Sequence, residues 1–179
     1  MTINQPRRRV YLDIEATGLD PDLHEMWELA YAIGDGPILH SLVSHDFTNP
    51  DPVALRINRY LERTIDYATI QASVMSAFET DAYDALDGAT IVAANPSFDA
   101  SFLSKRWGGP HWHHRLWDVE AYAAGVLDLP ELLGLADIAS MLRDRGYPIP
   151  EPDHTAAGDV DTLRECDKAL RMIRAGLGR

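Results

Sequence analysis

The run "RRRVYLDIEATGL", residues 7–19, places two acids in the last positions of an apolar, strand-forming stretch. Buried charge is costly unless it is paired or coordinated. Asp13 and Glu15 are two positions apart, so in a strand both side chains project from one face near its C-terminal end. Two hard oxygen donors placed there suit Mg²⁺ or Mn²⁺. The pair also fits a solvated strand end, the commoner meaning of D-x-E taken alone. If the pair holds metal, other segments must supply the remaining ligands. Thr17 and Gly18 then turn the chain and bring bare backbone close to whatever sits at the strand end.

Two later segments offer such ligands. "NPSFDASFL", residues 95–103, follows the short apolar run "GATIVAAN". Pro96 suits a first helical turn, and Asp99 falls within that turn. The helix dipole also favours an acid there for purely structural reasons. Phe98, Phe102 and Leu103 can pack toward the sheet, or Phe98 can face a base. "DHTAAGDVD", residues 153–161, brings His154 and Asp159. On a continuous helix the two would stand about 140° apart. A joint role therefore requires His154 on the entry loop or in the first turn. Asp153 offers itself as the N-cap, after an extended entry through "YPIPEP".

Around these segments the pattern is α/β. "RRRVYLDIEA", "MWELAYAIGDG" and "PILHSLVSH" read as three strands, the last two joined by the turn signal "GDGP". That is an antiparallel start. "VALRINRYLERTI" and "IQASVMSAFETDAYDAL" show helical spacing. "GATIVAAN" reads as a strand covered on both faces, "PSFDASFLSKRW" as a helix and "HRLWDVE" as a last strand. "AYAAGVL", "PELLGLADIASMLRDRG" and "HTAAGDVDTLRECDKALRMIRAG" read as helices. The expectation is a mixed five-stranded sheet, its first three strands antiparallel, flanked by helices. A single domain over residues 1–179 is expected, with residues 1–7 a flexible arm.

Charge bears on the partner. The 28 acids outnumber 16 bases, a net charge of −12, which argues against coating a nucleic acid along its length. An enzyme that grips only the end of a polyanion and carries its own cations escapes that objection. No apolar run approaches the roughly 20 residues of a membrane span, and the N-terminal stretch lacks a signal core. With one cysteine, Cys166, a cytoplasmic location is expected. Arg56, Arg59 and Arg63 would share one face of a helix, as a phosphate track or, more simply, as a solvated face. "HWHH", residues 111–114, reads as a surface loop ahead of zinc, since no cysteine or helical i, i+4 pair accompanies it. Trp107, Trp112 and Trp117 read as core or loop anchors.

In combination and order the three acidic motifs resemble those of the DEDDh exonucleases. "DIEATGL" is similar to that family's D-x-E-x-T-G-L, "NPSFDASFL" to N-x-x-F-D-x-x-F-L, and "HTAAGD" to H-x-A-x-x-D. The likeness extends over about residues 8–172, with "MWELAYAI" resembling the second strand and "LWDVEAYA" the segment after the last. Two positions depart from the pattern: Ala16 stands where Thr is frequent, and Ala94 where His often precedes the Asn. Neither is a carboxylate.

The resemblance implies a ribonuclease H-like fold and a two-metal 3′–5′ exonuclease with Mg²⁺ or Mn²⁺. In that scheme Asp13, Glu15 and Asp159 hold one cation. Asp13, with Asp99 through water, holds the second, and His154 is the general base. Ala16 and Thr17 would hold the terminal 3′ hydroxyl by backbone, with Gly18 in the same turn and Asn95 beside motif two. Leu19 and Phe98 would wedge or stack at the terminal bases. The expected substrate is the 3′ end of single-stranded or frayed DNA, with RNA trimming as the alternative. A non-catalytic end-binding accessory of a polymerase is the reading of another class. A polymerase or a second copy of the chain is a conceivable partner.

Overall fold

β1 (Arg9–Ala16) lies at the centre of the molecule because both of its faces find cover. Val10, Leu12 and Ile14 alternate with Arg9, Tyr11, Asp13 and Glu15 along it. In the computed structural model, which describes residues 6–64 and 72–177, β2 (Met26–Ile33) pairs antiparallel with β1. β3 (Leu39–Leu42) pairs antiparallel with β2. β4 (Thr90–Ala93) and β5 (Trp117–Asp118) add in parallel on the other side, giving the order β3-β2-β1-β4-β5. This is the expected mixed sheet. β2 is buried over seven of its eight residues, as the nearly unbroken apolar run "MWELAYAI" requires.

The helices are α1 (Pro52–Ile57), α2 (Tyr60–Arg63), α3 (Ala72–Leu86), α4 (Pro96–Trp107), α5 (Val119–Leu127), α6 (Leu135–Asp144) and α7 (Ala156–Arg174). α7 crosses β1 and β2 and buries Val160, Leu163, Cys166 and Leu170 against the sheet and α5–α6. Among the described residues no helix is long and apolar enough to cross a membrane. Residues 1–5 of the expected N-terminal arm lie outside the described residues. The chain is tied down by Arg8, which donates from its guanidinium to the carbonyls of Asp84 and Asp87 at 3.0 and 3.1 Å.

Several elements differ from their sequence reading. The helix expected over "VALRINRYLERTI" is two helices, α1 and α2, broken at Asn58 and Arg59. Asn58 turns inward to donate to the Ala16 carbonyl at 2.9 Å, and Arg59 takes a left-handed φ of 55°. The break removes the common arginine face. Arg59 pairs with Glu62 in solvent, while Arg63 turns into the protein. The last part of that expected helix, and the start of the next, fall at residues 65–71, outside the described residues. The strand read over "HRLWDVE" shrinks to Trp117–Asp118, because Asp118 caps α5 by accepting from the Glu120 and Ala121 amides. α6 starts only at Leu135, after Gly134. The N-cap of α7 is Thr155, whose hydroxyl accepts from the Gly158 amide. Asp153 instead accepts from the Thr155 amide and hydroxyl, two residues before the cap.

"HWHH" is a loop packed on α3. The His111 ring stacks on Tyr83 with centroids 3.7 Å apart, and its Nε2 lies 2.9 Å from the Tyr83 carbonyl. Trp112 is buried, and Trp107 and Trp117 pack against the core.

Candidate active site

The alternation of β1 sends Asp13 and Glu15 to the face that α7 covers. Asp159 reaches the same point from the first turn of α7. Each of the three offers a carboxylate oxygen, and these oxygens lie within 4.8 Å of one another. All three side chains are partly buried. Asp159 is oriented by its own loop, since its Oδ1 accepts from the Asp153 amide at 3.0 Å. Hard oxygen donors so grouped fit a divalent cation of the Mg²⁺ or Mn²⁺ type. Among the described residues, none of His111, His113 and His114 joins such a group.

Asp99 stands beside this cluster and is not a member of it. It is 2% exposed, and its Oδ1 accepts from the Ile14 amide at 3.2 Å. The reason lies in the sheet. β4 pairs with β1 only as far as Tyr11 opposite Val92. β1 runs on past the end of its neighbour, and the Ile14 amide is met by the first turn of α4 in place of a strand.

Packing acids this closely disfavours their charged forms. Burial raises Asp13 well above the usual carboxylate range, and Asp99, Glu15, Asp159 and Glu28 raise it further. Glu15 is pushed up to about 8, by burial first and then by Glu28 and Asp159, against the opposing pull of Arg63 and Asn58. Asp99 is also raised to about 8 by burial, despite the Ile14 amide. Burial raises Asp159, and the Asp153 amide and His154 oppose the rise. Without a cation the cluster therefore retains protons near neutral pH.

His154 lies on the entry loop to α7, exposed and with φ at 57°. His is among the residues enriched in that left-handed region. Its carbonyl accepts from Arg63 Nη1 at 2.9 Å. Thr17 is fully buried; its amide donates to the Glu25 carbonyl at 2.8 Å and its carbonyl accepts from the Asp51 amide at 2.7 Å. The Thr17 backbone thus already has partners within the chain, as does the Ala16 carbonyl. Gly18 makes room for a close neighbour: a Cβ there would come within 2.3 Å of the His24 ring and displace it. Leu19 is 76% exposed at the tip of the turn. Asn95, in a left-handed conformation, precedes α4, and its side-chain oxygen accepts from the Ser97 hydroxyl. Phe98 is half-buried against Phe102, with ring centroids 5.0 Å apart.

No family model and no curated protein matches the sequence. Solved structures do match in fold. Escherichia coli exonuclease I in complex with a dT13 oligonucleotide superposes with a TM-score of 0.66 at 17% identity, over 96% of this chain and 42% of that one. A zinc-bound form of the E. coli exonuclease I complex with single-stranded DNA gives 0.63 at 17%, over the same shares. Brucella melitensis NrnC bound to pGG gives 0.55 at 17%, over 98% of this chain and 78% of that one.

The chain has the DnaQ-like exonuclease fold.

It spans about two fifths of the length of the exonuclease I chains it matches. In this DnaQ-like arrangement two residues that the sequence reading did not place among the acids enter the site. Glu28 on β2 sits directly opposite Glu15 on β1 and is 4% exposed. Arg63 meets it in an ion pair. The signal for Glu28 was an acid in the middle of the apolar strand "MWELAYAI". Arg63 was read only as part of an arginine face, since its pairing with Glu28 depends on the break at Asn58 and Arg59.

Proposed function

We propose that this chain is a metal-dependent 3′–5′ exonuclease acting on single-stranded or frayed DNA ends. The observation that carries the reading is the meeting of Asp13, Glu15 and Asp159 from β1 and α7, with His154 on the loop that opens α7. Asp13, Glu15 and Asp159 would hold one cation, and Asp99 with Asp13 a second. Bound divalent cations neutralise clustered acids, acidify water and stabilise charge on a phosphodiester. His154 takes the proton of the water that adds to phosphorus. The P–O3′ bond breaks, a nucleoside 5′-monophosphate leaves, and the shortened strand ends in a new 3′ hydroxyl. The turn Ala16–Leu19 forms the floor for the terminal nucleotide. Leu19 wedges at the terminal base, and Phe98 offers a ring for sequence-tolerant stacking, with Asn95 beside it.

A second reading, trimming of short RNA, is favoured by the likeness in fold to NrnC, which was solved with pGG. One assay tests both. Single-stranded DNA, duplex DNA with a mismatched 3′ end, and RNA, each labelled at the 5′ end, are incubated with Mg²⁺ or Mn²⁺. A descending ladder is expected on single-stranded DNA, abolished by chelation. A ladder on RNA alone would transfer the proposal to the second reading. No cleavage of any substrate would leave only a non-catalytic end-binding protein.

A further inference from the structure

Arg63 links three parts of the site. One guanidinium nitrogen, Nη1, donates to the His154 carbonyl at 2.9 Å and to the Asn58 carbonyl at 3.1 Å. The other, Nη2, donates to Glu28 Oε2. The same Glu28 oxygen accepts from the Ala156 amide at 3.0 Å. The ion pair therefore grips the backbone on both sides of Thr155, His154 through its carbonyl and Ala156 through its amide. Asn58, the third partner of Arg63, donates to the Ala16 carbonyl. A chain of polar contacts thus runs from the turn at the end of β1, through α1–α2, to the loop that carries His154. The guanidinium carbon lies 4.8 Å from the centre of the Trp27 ring, which closes the remaining side.

The position of this pair is expensive. The side chains of Arg63 and Glu28 are 15% and 5% exposed. Buried ion pairs seldom add net stability over apolar residues of similar size. Glu28 also adds negative charge beside Glu15 and Asp13. What the pair holds is a residue whose left-handed φ of 57° needs outside support.

We propose that Arg63 and Glu28 are a positioning pair that fixes His154 over the carboxylate cluster. The proposal rests on the exonuclease reading above. Arg63 touches no reacting atom; it acts through the His154 backbone. A misplacement of about 1 Å in a reacting group can cost about a hundredfold in rate.

The test is a double-mutant cycle on the whole chain, with single-stranded DNA and Mn²⁺. Arg63→Gln should lower kcat by about tenfold to a hundredfold with KM little changed. In a His154→Ala background the same substitution should change kcat by less than about twofold, since the two act as one unit. Arg63→Lys, which can keep one of the two bonds, should fall between. A second readout needs no turnover: amide hydrogen exchange at Ala156 should quicken in Arg63→Gln while the amides of β1 stay protected. If Arg63→Gln fails to fold, Arg63→Lys carries the same cycle. Equal losses of kcat in both backgrounds, or unchanged Ala156 exchange with unchanged kcat, would overturn the positioning role and leave the exonuclease reading intact. A wild-type chain that cleaves nothing would overturn both.

Discussion

Tyr11 donates its hydroxyl to Asp167 at 2.7 Å, across the interface between β1 and α7. The same two elements supply the acidic cluster, Asp13 and Glu15 from the strand and Asp159 from the helix. Eight residues of helix, from Asp159 to Asp167, rise about 12 Å, and four residues of strand, from Tyr11 to Glu15, span about 13 Å. A helix laid antiparallel on one strand face brings both meetings into register. At the Tyr11–Asp167 end the carboxylate meets donors and cations; at the Asp159 end carboxylates meet one another.

Asp167 is therefore expected to serve stability and not chemistry. It is fully buried, accepts from Arg9, Tyr11 and Trp117, and pairs with Arg171. Asp167→Ala leaves those donors facing a void and should cost about 3–5 kcal/mol. Each kcal/mol corresponds to roughly 2–4 °C in Tm for a chain of this size. Mn²⁺ binding by the folded variant, measured by calorimetry, should be unchanged. A small shift in Tm would show that the network does not clamp α7 to β1.

Asp13→Asn should act in the opposite sense. It removes a carboxylate that burial and four neighbouring acids hold well above its ordinary pKa. The metal-free variant should melt at or above the wild-type temperature at alkaline pH, where the acid it replaces would carry a repulsive charge. Cleavage with Mg²⁺ or Mn²⁺ should be abolished. Melting curves and the labelled-strand assay check the two halves, and wild-type turnover in this variant would sink the proposed chemistry.

Stability should depend on pH, with a sign set by the raised carboxylates. Glu15 and Asp99 sit at about 8 in the folded chain, against ordinary values of 4.5 and 3.8. Between about pH 4 and pH 8 the metal-free folded chain holds more protons at these groups than the unfolded chain does. Their contribution is fully present below the ordinary values and is lost as pH rises through 8. Cations compete for the protonated oxygens, so Mn²⁺ should raise Tm more at about pH 8.5 than at about pH 6. A smaller Mn²⁺ effect at the higher pH would contradict this origin.

Cys166 should be inert while the chain is folded. It is fully buried on α7, and burial pushes its thiol up to about 12. Thiolate is the reactive form. A disulfide reagent at neutral pH should label it only as fast as α7 exposes it, so labelling reports on local unfolding. Prompt stoichiometric reaction of the native protein would show that α7 does not stay closed over the sheet.

Much of this site was legible before any fold was drawn. Asp13 and Glu15 share a face because strand side chains alternate, and that period is local. Pro96 and Asp99 open α4 because a missing amide and an acid both suit a first turn. The strand pattern also announced the mixed sheet, since alternation and apolar runs follow from burial on one face or two. Short-range signals failed where a distant partner set the geometry. Asn58 breaks the helix over residues 53–65 to reach the Ala16 carbonyl, 42 residues away in sequence. Asp118 ends the last strand by capping the helix that follows.

By itself, then, the sequence determined which residues could carry the chemistry, through periodicity, turn residues and the spacing of acids. Only the tertiary structure decided which of them meet. The crossing of α7 over β1 joins Asp159 to Asp13 and Glu15. The shortness of β4 sends Asp99 to the Ile14 amide. The inward turn of Arg63 binds Glu28 and the His154 carbonyl. Each depends on where two segments far apart in the chain pack, a condition set by the global burial of apolar surface and unreadable from either segment alone.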